Sequence, residues 1–159
     1  MQASSSGNYI AEEAFKNSFV QQSPLNLQFK DYPAKNYNGK NQPLKLNRES
    51  RKYRTLFKEM VQQKPNFAGQ YVMQTIGCGG GCSLALAYNA KTGKSAVLPN
   101  TFVDCYNKKD GFTANDILYQ KNSVLIIAIG SRYGNQEECE TVYYIIQDDQ
   151  FKQISKSWR

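Results

Sequence analysis

The segment GCGGGC, Gly77 to Cys82, constrains this chain more than any other stretch. Two cysteines flank three glycines, and strand-like runs lie on either side, Tyr71 to Ile76 before and Ser83 to Tyr88 after. Glycine reaches positive φ without steric cost, so such a run closes a tight connection between neighbouring strands. The loop admits four roles: a nucleophile, a set of metal ligands, a phosphate cradle or a disulfide-pinned turn. A cysteine nucleophile needs a base to form its thiolate, and the chain contains no histidine, the usual one. Structural zinc sites draw on two close cysteine pairs or on cysteines with histidines. Here Cys78 and Cys82 are close, while Cys105 and Cys139 stand alone. A phosphate-binding P-loop demands Gly-Lys-Ser/Thr before a helix, whereas Cys82-Ser83 opens a strand. The favoured role is structural, a turn closed by Cys78–Cys82. Cys105 then pairs with Cys139, and a Cys82–Cys139 link stays open as the alternative. No catalytic, metal-binding or cofactor-binding residue is assigned.

Four cysteines in a small, Tyr- and Asn-rich chain suit two disulfides and an oxidising compartment. The 159 residues, 40% hydrophobic and 13% aromatic, suffice for a single domain over 1–159 with a sizeable core. The longest apolar run, Ser123 to Gly130, is strand-sized and far short of the ~20 residues of a membrane helix. The first ten residues, MQASSSGNYI, hold no hydrophobic signal region. The chain is therefore either cytoplasmic or a mature exported form without its signal peptide.

Charge is uneven. Residues 1–70 hold 11 Lys/Arg against 5 Asp/Glu, and residues 71–159 hold 9 against 8, which together give the net +7. A basic half suits an acidic protein, an anionic membrane face or nucleic acid. The lysines form no block of like charge and no nucleic-acid motif. A protein partner is the favoured reading and nucleic acid the disfavoured one.

Along the chain, residues 1–24 read as an arm or a short helix, with Ile10, Ala14, Phe15 and Phe19 near helical spacing. Leu25 to Phe29 alternates like a strand. The clearest helix occupies 47–64. Asn47 caps it, and Tyr53, Leu56, Phe57, Met60 and Val61 form one apolar face. Lys64-Pro65 ends it, and Arg51, Lys52, Arg54 and Lys58 share its wet side. Beyond Pro65 the period becomes two. Strands are expected at Tyr71–Ile76, Ser83–Tyr88, Ser95–Leu98, Asp116–Tyr119, Ser123–Ile129, Glu140–Ile146 and Phe151–Ile154. Gly93 is expected at positive φ in the turn NAKTGK. The stretches from Gln74 and from Ile127 repeat one order: strand, glycine turn, cysteine, strand, polar turn, strand. Two such three-stranded meanders predict an α+β fold. Its core is one twisted antiparallel sheet of about six strands over 69–159, with the helix on one face.

The stretches DYPAKNYNGK, SRKYRTLF, KPNFAGQYVMQTIGCGGGC and NAKTGKSAVL follow one another in this order. Together they resemble a group of small exported proteobacterial proteins of unknown function, marked by an NFAGHY segment followed by WGCGxxC. The resemblance covers roughly Phe29 to Leu98 and the rest more loosely. It implies a periplasmic or secreted location, which fits two disulfides, and brings no known activity. Gln70 stands where that group usually has histidine, and Ile76 where it has tryptophan. A role carried by the histidine in those proteins is lost here.

Two further stretches carry polar side chains suited to a site. The carboxylates Glu137, Glu138, Glu140, Asp148 and Asp149 read as turn or strand-edge charges rather than an acid/base pair. The loop GSRYGNQ, Gly130 to Gln136, offers Arg132, Tyr133 and Asn135 as exposed contacts for a partner. The sequence thus leads to a non-enzymatic exported binding protein, such as an inhibitor or immunity protein against a toxin or cell-wall hydrolase. The alternatives are an enzyme acting on cell-wall or acidic polymers and a structural envelope protein.

Overall fold

The structure, a computed structural model, describes residues 26–107, 111–132 and 139–158. The expected arm at 1–24 lies outside them. Ten strands occur among the described residues: β1 Tyr71–Gly77, β2 Cys82–Asn89, β3 Ser95–Val97, β4 Phe102–Val103, β5 Cys105–Asn107, β6 Phe112–Ala114, β7 Asp116–Tyr119, β8 Leu125–Gly130, β9 Glu140–Gln147 and β10 Gln150–Trp158. One α-helix, α1, spans Arg54–Met60. The class is α+β and every strand ladder is antiparallel.

The expected single six-stranded sheet is not what forms. The two three-stranded units exist, but they lie in separate sheets. β2 sits between β1 and β3, with β4 also pairing β2, and a second sheet runs β10-β9-β8-β7. A small β5-β6 ladder stands apart. The reason lies in which faces are apolar. Alternate residues of a strand point to opposite faces. Tyr71, Met73, Ala85 and Ala87 of the first sheet share one buried cluster with Ile126, Ala128, Val142, Tyr144 and Ile146 of the second. The intervening residues are apolar as well. Val72, Leu86 and Tyr88 cluster with Phe57 and Met60 of the helical segment. Leu125, Ile127 and Tyr143 cluster with Leu27, Phe29 and Tyr32. Strands buried on both faces read as continuous apolar runs, and stacking buries more of that surface than joining edge to edge.

The helical segment is shorter and more divided than expected over 47–64. A 3-10 turn at Ser50–Tyr53 precedes α1, and Tyr53 between them takes φ −114° and ψ 22°. Its ring packs against the clusters on both sides of the first sheet, so packing sets its backbone. Asn47 caps the segment reciprocally. Asn47 Oδ1 accepts from the Ser50 N–H at 2.8 Å, and Ser50 Oγ accepts from the Asn47 N–H at 2.7 Å. Ser50 Oγ is also bonded to Ser95 Oγ of β3 at 2.7 Å, which ties the start of the segment to the sheet. The exchange Ser50→Ala removes both links from a fully buried site. It is expected to lower unfolding free energy by about 1–2 kcal/mol, read from the urea midpoint.

Leu25 to Phe29 was expected as a strand. Residues 26–28 have no regular structure and Phe29–Asp31 form a 3-10 turn. Pro33 cannot donate to a ladder, and pairing with the second sheet shrinks to the isolated bridge Pro33–Ser123. At the far edge, β10 is long and carries a register shift between Gln153 and Ser155.

Candidate functional site

Cys78 and Cys82 are disulfide-bonded across the β1–β2 connection, and Cys105 is bonded to Cys139. The two disulfides differ in setting. Cys105 and Cys139 are 0% and 1% exposed and pack with Ala114 and Ile129. Cys78 lies at the exposed tip. Gly79, Gly80 and Gly81 take φ of 90°, 57° and 75° in succession, a path closed to most side chains. A Cβ on Gly81 would also collide with the Asp104 carboxylate. That carboxylate belongs to a polar cluster. Asn115 donates to Asp104 Oδ1 and to the Gly81 carbonyl, and it is hydrogen-bonded to Ser83. The Asp104 N–H donates to the Gly81 carbonyl at 2.8 Å. Among the described residues no three His, Cys, Asp or Glu side chains are grouped to hold a metal ion.

Arg132 was expected as an exposed partner contact. Its side chain is instead 5% exposed and forms a two-pronged ion pair with Glu140, which is 1% exposed. Nε and Nη2 reach the two carboxylate oxygens at 3.1 and 2.9 Å, and Nη1 donates to Gln153 Oε1 at 2.9 Å. Arg132 thus ties the end of β8 to β9 and β10. Tyr133 and Asn135, like Glu137 and Glu138, lie outside the described residues.

The two aspartates between β9 and β10 occupy a tight turn, with φ of 53° at Asp148 and 61° at Asp149. Two successive positive φ values match the twist of a two-residue hairpin. Asp149 Oδ1 accepts from the Tyr71 hydroxyl and from Asn89 Nδ2, each at 2.6 Å. The turn of the second sheet is thereby bonded to two strand ends of the first. Sequence reading took Asp149 for a solvated turn charge, since its partners lie 60 and 78 residues away. Burial raises the Tyr71 hydroxyl well above its ordinary value, and the Asp149 carboxylate adds to the effect. The neutral phenol is therefore the form the fold favours. Its contribution is complete below pH ~10, the unfolded value, and is lost as pH rises towards the higher folded value. Stability is expected to fall steeply with pH above ~10, and Tyr71→Phe to flatten that slope while lowering stability at pH 7. Urea midpoints taken from pH 7 to 11 on both proteins check the sign.

Beside Asp149 lies an extended concavity. Three open depressions of about 310, 300 and 260 Å³ run into one another. The first two share Asn47, Asp149 and Gln150, and the last two share Glu49, Val97 and Pro99. The floor is β3. Lys45 and Lys94 stand at one end and Lys52 and Tyr53 at the other. One wall of this groove continues into a basic shelf. Lys45, Arg48, Arg51, Lys52, Arg54, Lys58 and Lys64 are exposed, against Glu49 and Glu59 as the carboxylates of the same stretch. None of these seven is in an ion pair among the described residues. Gln70, in place of the expected histidine, is half-buried beside Tyr71. Gly93 has φ 84°, as its turn requires.

No family model, curated protein or solved structure matches the chain.

Proposed function

We propose that this chain is an exported, non-enzymatic binding protein that docks an acidic face of a protein partner on the basic shelf over 45–64. The observation that carries the reading is the shelf itself, seven exposed Lys/Arg side chains with no ion-pair partner among the described residues. Charges left unneutralised within a folded surface are available to a partner of opposite sign, and they speed and orient its approach. The groove along β3 gives that partner a shaped rather than a flat surface. Two of the carboxylates weighed in the sequence are engaged in structural contacts, Glu140 with Arg132 and Asp149 with Tyr71 and Asn89. Two disulfides support an oxidising compartment. The concrete form is an inhibitor or immunity protein acting on a toxin or a cell-wall hydrolase.

The test is cross-linking and co-purification from the native envelope fraction with the wild-type chain and with R51E/K52E/R54E/K58E. A partner held by the wild type is expected to bind the variant at least about tenfold more weakly, a loss of ~1.4 kcal/mol or more. Thermal unfolding of the two should match. Equal retention by both, or no partner with either, refutes the reading.

A further inference from the structure

Cys78 of the Cys78–Cys82 disulfide is exposed, Cys82 is half-buried, and the connection they close also carries hydrogen bonds of its own. Cys78 lies at the open tip, and no neighbouring group fills the space beside Gly79 and Gly80. Backbone and side-chain hydrogen bonds span the same connection beside the sulfurs. The Cys78 N–H donates to the Cys82 carbonyl at 3.1 Å, and the β1–β2 ladder continues through Gly77–Ser83. On the far side, Asp104 N–H and Asn115 Nδ2 hold the Gly81 carbonyl at 2.8 and 3.2 Å. Cys105–Cys139 has the opposite character. Both cysteines are buried and the bond spans 34 residues.

We propose that Cys78–Cys82 is a thiol–disulfide exchange site, open to an external dithiol while Cys105–Cys139 stays closed. A thiolate of the dithiol attacks Cys78 Sγ, the exposed sulfur. The bond between Cys78 and Cys82 breaks, its electron pair leaves on Cys82 Sγ, and that sulfur takes a proton from water. The second thiolate of the dithiol then attacks the dithiol's first sulfur, the bond from that sulfur to Cys78 Sγ breaks, and Cys78 leaves with the electron pair and is protonated in turn. The dithiol ends as a disulfide, and Cys78 and Cys82 end as thiols. Access of the attacking thiolate governs such rates as much as thiol acidity does. The change stays local. Three glycines at positive φ lose their covalent closure and gain freedom, while β1 and β2 keep their partners within the sheet. The site is separate from the basic shelf, so it stands whether or not the shelf binds a partner.

The experiment treats the folded, oxidised full chain with dithiothreitol in the absence of denaturant. Timed samples are quenched with iodoacetamide and mapped by peptide mass. Cys78 and Cys82 are expected to be labelled at least about tenfold faster than Cys105 and Cys139, with the circular dichroism spectrum unchanged. Simultaneous labelling of all four cysteines, earlier labelling of Cys105 and Cys139, or no labelling before unfolding overturns the proposal. The variant C78S/C82S supplies an independent check. It is expected to fold and to keep Cys105–Cys139 as resistant to dithiothreitol as in the wild type. A variant that does not fold, or whose remaining disulfide becomes reducible, shows that the tip bond holds the structure together and refutes the exchange role.

Discussion

Replacing Cys105 and Cys139 together by alanine lowers the unfolding free energy by about 4 kcal/mol. The bond closes a span of 34 residues, and in the chain-entropy model a span of that length restricts the unfolded chain by about 4 kcal/mol. The sulfurs also fill a buried cluster with Ala114, Ile129 and Leu118, so truncation adds a packing loss. A domain of this size has a total stability of only about 5–15 kcal/mol. The expected drop in melting temperature is about 8–16 °C, since ~1 kcal/mol shifts a 150–250-residue domain by 2–4 °C. The short span of Cys78–Cys82, four residues, gives about 2 kcal/mol in the same model. Calorimetry on the two double variants compares them directly. A larger loss for the tip pair would contradict the ranking.

Removing the Glu140 side chain is the second large effect. Arg132 and Glu140 are both nearly inaccessible to water, so Glu140→Ala leaves the guanidinium inside without its carboxylate. Breaking a buried pair from one side costs about 3–5 kcal/mol, because the remaining charge keeps its desolvation penalty. Removing both charges avoids that penalty. R132M/E140L is therefore expected to be more stable than Glu140→Ala alone, although it removes more polar contacts. Urea unfolding of the single and double variants decides the matter. A double variant as unstable as the single one would mean that the pair holds the β8–β9–β10 corner by geometry rather than by charge balance.

Much of the local structure was legible in the sequence. The period-two runs located β1, β2, β3, β7 and β9 within a residue or two, and GCGGGC marked a tight connection whose cysteines pair with each other. The relation between the sheets was not legible. Runs such as Leu125–Gly130 are apolar on both faces. They suit a central strand of one wide sheet as well as a layer between two clusters, and only the long-range fit of Tyr144, Ile126 and Met73 decides between them. The division of the helical segment at Tyr53 has the same origin, since its ring serves clusters on both sides of a sheet. The candidate site was half legible. Arg51, Lys52, Arg54 and Lys58 were read as a wet basic face, which is where they lie. Arg132 and Asp149 were misread as surface groups because the partners that bury or bind them come from other strands. The groove is built from separated stretches, near 45–53, 94–101 and 148–151, together with Leu84, and no local pattern announces it.

The register shift in β10 bears on whether one copy of this chain can stack on the next. A nine-residue strand at the edge of a sheet presents a row of unused amides and carbonyls to any passing chain. A straight edge of that length would template stacking of one copy on the next. The irregularity between Gln153 and Ser155 breaks the row into two shorter pieces and twists them out of line. Exposed Lys152 places a charge on the first piece, and it would meet its own counterpart in an antiparallel copy. Ile154, 39% exposed at the kink, is the side chain such stacking would bury. The irregularity beside it therefore works against edge-to-edge growth of one copy on another along β10.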